Sequence, residues 1–201
     1  GILAIIKSGG AYVPIDPEYP KQRKNYLIKN SGCKFVINAK VIKAFKNASN
    51  ENVAEINIKN KGLLCCIYTS GSSGLPKGVM ISHQNLMNRI YWMWTKYPFQ
   101  ANEVTAIKTA IGFVDHLWEL FGSLLSGVKS VIISQDDVKE VDKFAGIIDF
   151  EKITRLVLVP SLLKFILTQE EIRNQFLSVK LWTVSGEVLH IDLVSLFYKY
   201  F

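Results

Sequence analysis

Apolar and polar positions follow two alternating patterns in the second half of the chain. Short apolar runs are separated by stretches in which apolar residues recur at helical spacing. The runs predict strands at 104–110, 128–134, 155–159 and 180–184, and the stretches predict helices at 117–126, 142–151, 161–168 and 170–176. Strands that alternate with helices over short connections are typical of an α/β fold with a mostly parallel sheet flanked by helices. Ligands bind such sheets beyond the carboxyl ends of the strands, so the loops after Ala110, Val159 and Val184 are candidate pocket regions.

The first half of the chain has a more mixed pattern. Its predicted elements are the end of an apolar helix at 1–7, an extended segment at 11–16, a basic helix at 21–30, a short strand at 33–38 and a polar loop with a weak strand at 46–61. Ser82 is a favoured helix N-cap. After it, apolar side chains recur at helical spacing as far as Pro98, and they predict a buried stripe of Leu86, Ile90, Trp94 and Tyr97.

Composition places the chain among globular proteins. Its 201 residues, 49% of them hydrophobic and 20% charged, suffice for a sizeable core in one domain. The net charge of +7 comes from lysines spread singly along the chain, which favours anionic ligands over a nucleic-acid-binding stripe. Cys33, Cys65 and Cys66 lack metal-ligand spacing and are predicted to be small buried hydrophobes in a reducing compartment, the cytoplasm. No uncharged apolar segment approaches the length of a membrane span, so no membrane association is predicted.

A loop of hydroxyls and glycines separates two apolar runs in the first half. It extends from Thr69 to Gly74, is followed by Pro76, Lys77 and Gly78, and leads into a second β-prone run. Glycines let a backbone approach a ligand, amides and hydroxyls donate to phosphate oxygens, and a lysine adds a positive charge. The loop therefore suits a polyphosphate, although its spacing is not that of a Walker A motif and its composition alone equally fits a solvated turn.

The segment YTSGSSGLPKGV resembles the signature loop of the adenylate-forming superfamily of AMP-binding enzymes, which includes acyl-CoA synthetases, luciferases and the adenylation domains of nonribosomal peptide synthetases. Two serines replace its usual pair of threonines and keep both hydroxyls. The segment KSGGAYVPIDPEYPKQR resembles a second core motif of the peptide synthetase adenylation domains. The resemblance implies that the loop binds the β- and γ-phosphates of ATP, with Lys77 as the catalytic cation. The residues implied are Thr69, Ser70, Gly71, Ser72, Ser73, Gly74 and Lys77.

A second part of the implied ATP site follows the last predicted strand. The turn Ser185-Gly186-Glu187 resembles the Gly-Gly-Glu turn of the family, whose backbone lies against the adenine. The resemblance implies Mg²⁺ on the nucleotide. It also implies that the acidic motif for Mg²⁺, the ribose-binding aspartate and the C-terminal lysine lie after Phe201, so no metal ligand is predicted within residues 1–201. Both ends of the chain interrupt helical patterns, and we expect residues 1–201 to be a truncated part of the large N-terminal domain, inactive by itself.

The segment FVDHLWELF resembles the aromatic-Asp-x-x-x-Trp-Glu-x-Phe segment of the family. Alignment on Trp118-Glu119 puts Val114 where domains that activate α-amino acids carry an aspartate, and the carboxylate comes one residue later, at Asp115. The resemblance implies a substrate pocket that consists of Phe113, Val114, Asp115, Trp118, Val157, Thr183 and Ser185. This set is similar to that of domains that activate β-alanine, which has one extra methylene and no side chain. Asp115 also suits a helix N-cap and Trp118 a core position, but the phosphate loop and the Trp-Glu register favour the pocket.

The implied function is ATP-dependent activation of an amino acid, β-alanine or a similar β-amino acid, as an acyl adenylate with release of pyrophosphate. The product would pass to the phosphopantetheine thiol of a peptidyl carrier protein. Three alternative functions are also compatible with parts of the sequence. An acyl-CoA or aryl acid ligase of the same superfamily would keep the loop without needing Asp115. A non-catalytic nucleotide-binding fragment would tolerate loss of Lys77, and a nucleic-acid binder is indicated by the charge alone.

Overall fold

A computed structural model describes residues 1–45, 62–71 and 74–201. These residues form two compact units. The first consists of Gly1–Arg89 and Ile111–Val114, and the second of Ile90–Ala110 and Asp115–Phe201. The predicted loop at 46–61 and the two serines at 72 and 73 lie outside the described residues.

A β-hairpin and short helices make up the first unit. Its elements are α1 (Ile2–Lys7), α2 (Lys21–Ser31), α3 (Ala39–Ala44), β1 (Leu63–Thr69), β2 (Lys77–Ser82) and the beginning of α4 (His83–Lys96). The strands β1 and β2 are antiparallel. The extended segment predicted at 11–16 lies beside β1, where Tyr12 N donates to the Leu64 carbonyl at 3.1 Å and Cys66 N to the Tyr12 carbonyl at 3.0 Å. The hairpin therefore has a third extended segment along the outer side of β1.

The short strand predicted at 33–38 is wrong. This segment is irregular, and Phe35 is 84% exposed. Asn38 instead begins α3, because its Oδ1 accepts hydrogen bonds from the amides of Lys40 and Val41 at 3.0 and 3.1 Å. No strand pairs with 33–38 among the residues that the structure describes. A β-prone sequence without a neighbouring strand and with its side chains in solvent gains nothing from extension.

The predicted parallel sheet forms the centre of the second unit. Its strands are β3 (Val104–Ile107), β4 (Lys129–Ile132), β5 (Arg155–Leu158) and β6 (Leu181–Val184). They are parallel and lie in the order β4-β3-β5-β6. Every residue of β5 is buried. The prediction of an α/β fold with a parallel sheet is confirmed.

Helices connect the strands of this sheet, and the last helix follows β6. They are α5 (Asp115–Leu117), which continues into a π-helical turn at Trp118–Gly122, and α6 (Gln135–Lys139), α7 (Val141–Phe150), α8 (Pro160–Thr168), α9 (Glu170–Asn174) and α10 (Ile191–Tyr200). The hydrophobic core contains Phe144, Ile148, Leu158, Ile166 and Phe176. The short α6 was not predicted, because its sequence carries no apolar periodicity. Within the described ranges, no helix is both long and apolar enough to cross a lipid bilayer.

Helix α4 begins with a reciprocal cap. Asn85 N donates to Ser82 Oγ at 3.1 Å, and Ser82 N donates to Asn85 Oδ1 at 2.9 Å, as in a capping box. Leu86 and Ile90 are buried as predicted, but Met93 continues the stripe instead of Trp94. Met93 follows Ile90 by three residues, so it lies on the same face of the helix as Leu86 and Ile90.

The last member of the predicted stripe, Tyr97, lies beyond the end of the helix and is 44% exposed. Its burial is therefore a wrong prediction.

Candidate functional site

The predicted phosphate loop joins the two strands of the hairpin in the first unit. Thr69, the last residue of β1, is paired with Lys77, the first residue of β2, so both arms of the loop are held by the antiparallel ladder. Within the loop, Gly74 N donates to the Gly71 carbonyl at 3.1 Å. The side chains of Thr69, Ser70 and Lys77 are exposed. The described part of the loop thus presents two hydroxyls and an ammonium group to solvent.

Gly71 lies directly against the side chain of Lys77. A Cβ at position 71 would collide with the carbonyl oxygen of Leu75 and would lie 3.1 Å from Lys77 Cγ. Such distances are shorter than nearly all real contacts, so only glycine fits here. The bare backbone at Gly71 therefore gives the stem of Lys77 its path along the loop.

Two tyrosines attach helix α2 to the hairpin. Tyr26 Oη donates to the Pro76 carbonyl at 3.0 Å, one residue before Lys77. Tyr68 Oη, near the end of β1, donates to Asn30 Oδ1 at 2.7 Å. The helix therefore restrains both strands where they enter the loop.

Two predicted substrate residues meet in the second unit. Ser185, directly after β6, donates from Oγ to Asp115 Oδ2 at 2.7 Å. Asp115 begins α5, and both side chains are partly buried. Ser185 N donates to the Leu158 carbonyl at 3.0 Å, which fixes the turn. Asp115 Oδ1 accepts no hydrogen bond from the described residues, so this carboxylate is oriented and still has a vacant oxygen.

Three other predicted substrate residues line one cavity of about 10 Å³. They are Trp118, Val157 and Thr183, and the last two are paired neighbours on β5 and β6. The cavity has room for about one water molecule. Trp118 is 7% exposed, and its Nε1 has no hydrogen-bond partner among the described residues. A buried donor without a partner costs about 1–3 kcal/mol.

Phe113 and Val114 belong to the first unit, where they are 66% and 57% exposed. Their predicted role in the substrate pocket stays a prediction. The predicted pocket residues of the second unit therefore form two groups, the hydrogen-bonded pair Asp115 and Ser185 and the cavity-lining side chains.

Glu119 holds the end of β3. Its Oε2 accepts from the amides of Lys108 and Thr109 at 2.9 and 2.7 Å, and its Oε1 accepts from Thr109 Oγ1 at 2.8 Å. Burial raises the pKa of Glu119, and the Lys108 ammonium and these hydrogen bonds partly offset the effect. Burial lowers the pKa of Lys108, opposed by the carboxylates of Glu119 and Asp115. Glu119, one of the residues that identified the motif, therefore supports the end of β3. Lys108 belongs to no motif, so the sequence did not predict its place beside Glu119.

Gly186 and Glu187 lie on the turn after β6, as the predicted adenine contact requires. Both carboxylate oxygens of Glu187 bind the beginning of α8, because Oε2 accepts from Ser161 N and Oε1 from Ser161 Oγ, each at 2.9 Å. Glu187 is therefore a cap of α8. Its contact with a nucleotide stays a prediction.

We expect Glu187→Ala to lower the free energy of unfolding by about 1 kcal/mol, the usual value of a helix cap. For a chain of this size the melting temperature should fall by about 2–4 °C. Glu171→Ala, which removes an exposed carboxylate from α9, is the matched control. Thermal unfolding followed by circular dichroism measures both. Equal melting temperatures for the two variants would mean that the cap contributes nothing.

A metal site is not evident within the described ranges. No group of three or more His, Cys, Asp or Glu side chains there could hold a metal ion. The expectation that Mg²⁺ would come with the nucleotide stays a prediction.

Comparison with known proteins identifies the family. The family model for AMP-binding enzymes matches residues 1–201. The chain is 33% identical over 227 residues to the β-alanyl-bioamine nonribosomal peptide synthetase ebony of Drosophila melanogaster, covering 100% of this chain and 26% of ebony. It is 34% identical over 213 residues to tyrocidine synthase 3 of Brevibacillus parabrevis, covering 99% of this chain and 3% of that synthase. The chain thus spans about a quarter or less of these relatives.

Solved structures share the fold. The N-terminal subdomain of Klebsiella oxytoca NpsA, in complex with 3-hydroxyanthranilyl-AMSN, matches with a TM-score of 0.86 at 19% identity, over 100% of this chain and 53% of that one. The AMPPNP-bound nonribosomal peptide synthetase FmoA3 matches with a TM-score of 0.85 at 22% identity, over 99% of this chain and 23% of that one. With the family model matched from the first residue to the last, the chain belongs to the family of AMP-binding enzymes.

Proposed function

We propose that residues 1–201 are part of the large N-terminal domain of an adenylation domain that activates an amino acid with ATP. A carboxylate oxygen of the amino acid attacks the α-phosphorus. The bond from that phosphorus to the bridging oxygen breaks, and pyrophosphate leaves with the electron pair. The observation that carries this proposal is the loop between β1 and β2, where Lys77 lies against the bare backbone of Gly71.

Charge neutralisation and positioning are the tasks of the protein in such a reaction. The groups proposed to bind the β- and γ-phosphates are the Lys77 ammonium, the hydroxyls of Thr69, Ser70, Ser72 and Ser73, and the amides at Gly71 and Gly74. Gly186 would lie against the adenine. Bound Mg²⁺ would neutralise phosphate charge. FmoA3 is named with a bound ATP analogue, which supports ATP as the nucleotide.

The proposed amino acid is β-alanine or a similar β-amino acid. Asp115 would bind its ammonium group, since Ser185 orients the carboxylate and leaves Oδ1 vacant. Val114 stands where an α-amino acid would meet its aspartate, and the shift of one residue suits an amine one methylene farther from the reacting carboxylate. Trp118 would fill the space of an absent side chain. The fly relative is named for a β-alanyl product, which also supports this substrate.

The acyl adenylate is proposed to pass to a carrier protein. The phosphopantetheine thiol of that protein would attack the acyl carbon, forming a thioester while AMP leaves. Support comes from the names of the relatives, several of which are nonribosomal peptide synthetases or synthases. We propose the cytoplasm as the location of this reaction.

The full-length protein should catalyse exchange of pyrophosphate into ATP with β-alanine about 100-fold better than with propionate. Both are small acids, but only β-alanine has the ammonium group that Asp115 would bind. Leaving a charge without its partner costs about 2–5 kcal/mol, and the lower part of this range, about 100-fold, applies to the partly buried Asp115. L-Alanine should also be a poorer substrate, because its amine is one methylene closer to the carboxylate.

Equal exchange with β-alanine and L-alanine would refute the substrate assignment. Faster exchange with propionate or 3-hydroxybenzoate would indicate an acyl or aryl acid ligase. An absence of exchange with every acid would favour a nucleotide-binding protein without catalysis.

A further inference from the structure

Three flat groups lie next to one another along the wall of one small cavity, namely the side chains of Phe99, Trp118 and Arg155. The ring of Phe99 lies 6.3 Å from the ring of Trp118, centroid to centroid, with an angle of 11° between the planes. The guanidinium carbon of Arg155 lies 4.0 Å from the centroid of the Phe99 ring. Both distances are typical of attractive contacts between such groups. Phe99 thus contacts both a cation and an indole.

Each of the three guanidinium nitrogens of Arg155 donates a hydrogen bond. Its Nε donates to Glu103 Oε2 at 2.6 Å, and both side chains of this ion pair are 6% exposed. Its two terminal nitrogens donate to the carbonyls of Tyr97 and Pro98, each at 2.6 Å. Both carbonyls belong to the connection that carries Phe99. The rigid planar fork of arginine therefore fixes that connection at the beginning of β5.

Packing alone sets the orientation of Trp118. Its Nε1 has no partner among the described residues, so no hydrogen bond holds the indole. One edge of the indole lies on bare backbone, because a Cβ at Gly122 would be 2.6 Å from Trp118 Cε3. Trp94 Nε1 in turn donates to the Gly122 carbonyl at 3.0 Å. The position of the ring therefore depends on Phe99 on one side and on Gly122 on another.

We propose that Phe99, held by Arg155, positions Trp118 and thereby sets the size of the amino acid that the pocket accepts. This inference rests on the proposed function, in which Trp118 fills the space of an absent side chain. The adjoining cavity of about 10 Å³ gives the indole little room to move. A smaller residue at 99 enlarges this space, and the unpaired Nε1 favours rotation toward any acceptor within reach. A movable indole no longer excludes a larger substrate.

The test compares two substrates that differ by one methyl group in the full-length protein. In Phe99→Leu, the ratio of kcat/KM for β-alanine to kcat/KM for 3-aminobutyrate should fall about tenfold, chiefly through KM, within the range that one methyl group contributes in an apolar pocket. Phe99→Tyr keeps the ring and should keep the ratio. Phe144→Leu is the matched control, because Phe144 is buried in the separate core between α7 and Phe176.

A second readout does not depend on activity. In protein labelled with 5-fluorotryptophan, the fluorine resonance of Trp118 is assigned by its loss in Trp118→Phe. Phe99→Leu should shift or broaden this resonance, and Phe144→Leu should not. Arg155→Lys, which keeps the charge but not the fork, should act as Phe99→Leu does.

An unchanged resonance in Phe99→Leu overturns the inference, and so does a moved resonance with an unchanged substrate ratio. If the wild-type protein does not activate β-alanine, the proposed substrate fails. The ratio is then measured with the amino acid that it does activate and the analogue one methyl group larger, so the inference is still tested.

Discussion

Asp115→Asn in the full-length protein should lower kcat/KM for β-alanine about 100-fold, mainly through a higher KM. Removing one partner of a buried charged pair costs about 2–5 kcal/mol, and the lower part of this range applies because Asp115 is only partly buried. The asparagine keeps the shape and accepts the hydrogen bond from Ser185, so only the negative charge is lost. Pyrophosphate exchange at increasing β-alanine concentration measures the effect.

Two further variants serve as references for the size of the Asp115→Asn effect. Ser185→Ala removes the hydroxyl that orients Asp115 Oδ2 and should cost about 1 kcal/mol, or about fivefold in kcat/KM, as for one hydrogen bond. Asp142→Asn makes the same chemical change at an exposed position in the first turn of α7 and should have no effect. If Asp115→Asn behaves like Asp142→Asn, Asp115 does not bind the amine.

The parallel sheet was predictable because apolar runs and helical stretches alternate several times along this half of the chain, so each run has other runs to pair with. The residues of β5 are apolar except for Arg155, and α7 and α8 have apolar residues at helical spacing. The same reasoning failed at 33–38, where a β-prone run has no neighbouring strand among the described residues. Whether a short run becomes a strand depends on a partner elsewhere in the chain, and local sequence does not contain that information.

The candidate site likewise has residues that sequence motifs predict and contacts that they do not. Motifs located the predicted phosphate loop, Asp115 and the turn after β6, because the residues of a motif are neighbours in sequence. The partners of these residues come from far along the chain, 70 residues in the case of Ser185 and Asp115. Arg155 and Phe99 belong to no motif, and only the fold brings the guanidinium over that ring. The location of the motif residues at strand ends and turns was therefore predictable from sequence, and the contacts that support them were not.

Lys77→Met in the full-length protein should lower the rate of pyrophosphate exchange about 100- to 1000-fold, the effect of removing one donor that stabilises charge in a transition state. Methionine keeps an unbranched stem against Gly71 and lacks the ammonium group. Because Lys77 is exposed, the melting temperature should stay within about 2 °C of the wild type, as for most surface substitutions. Exchange measured against ATP concentration, together with thermal unfolding, tests both statements.

If Lys77→Met loses exchange but keeps its fold, the reaction needs the positive charge of Lys77. This conclusion requires that substitution of another exposed lysine does not also lower exchange. Lys29→Ala removes an exposed charge from α2 in the same unit and should leave exchange unchanged. Lys77→Arg keeps the charge but begins a wider planar group at the position of Lys77 Cε, which lies 3.2 Å from the position that a Cβ on Gly71 would take, so it should recover only part of the rate. Wild-type exchange in Lys77→Met would leave the loop without its proposed role and would favour a solvated turn. A graded loss from wild type through arginine to methionine would indicate that the reaction needs a positive charge at this position, because all three side chains pass Gly71 as unbranched stems.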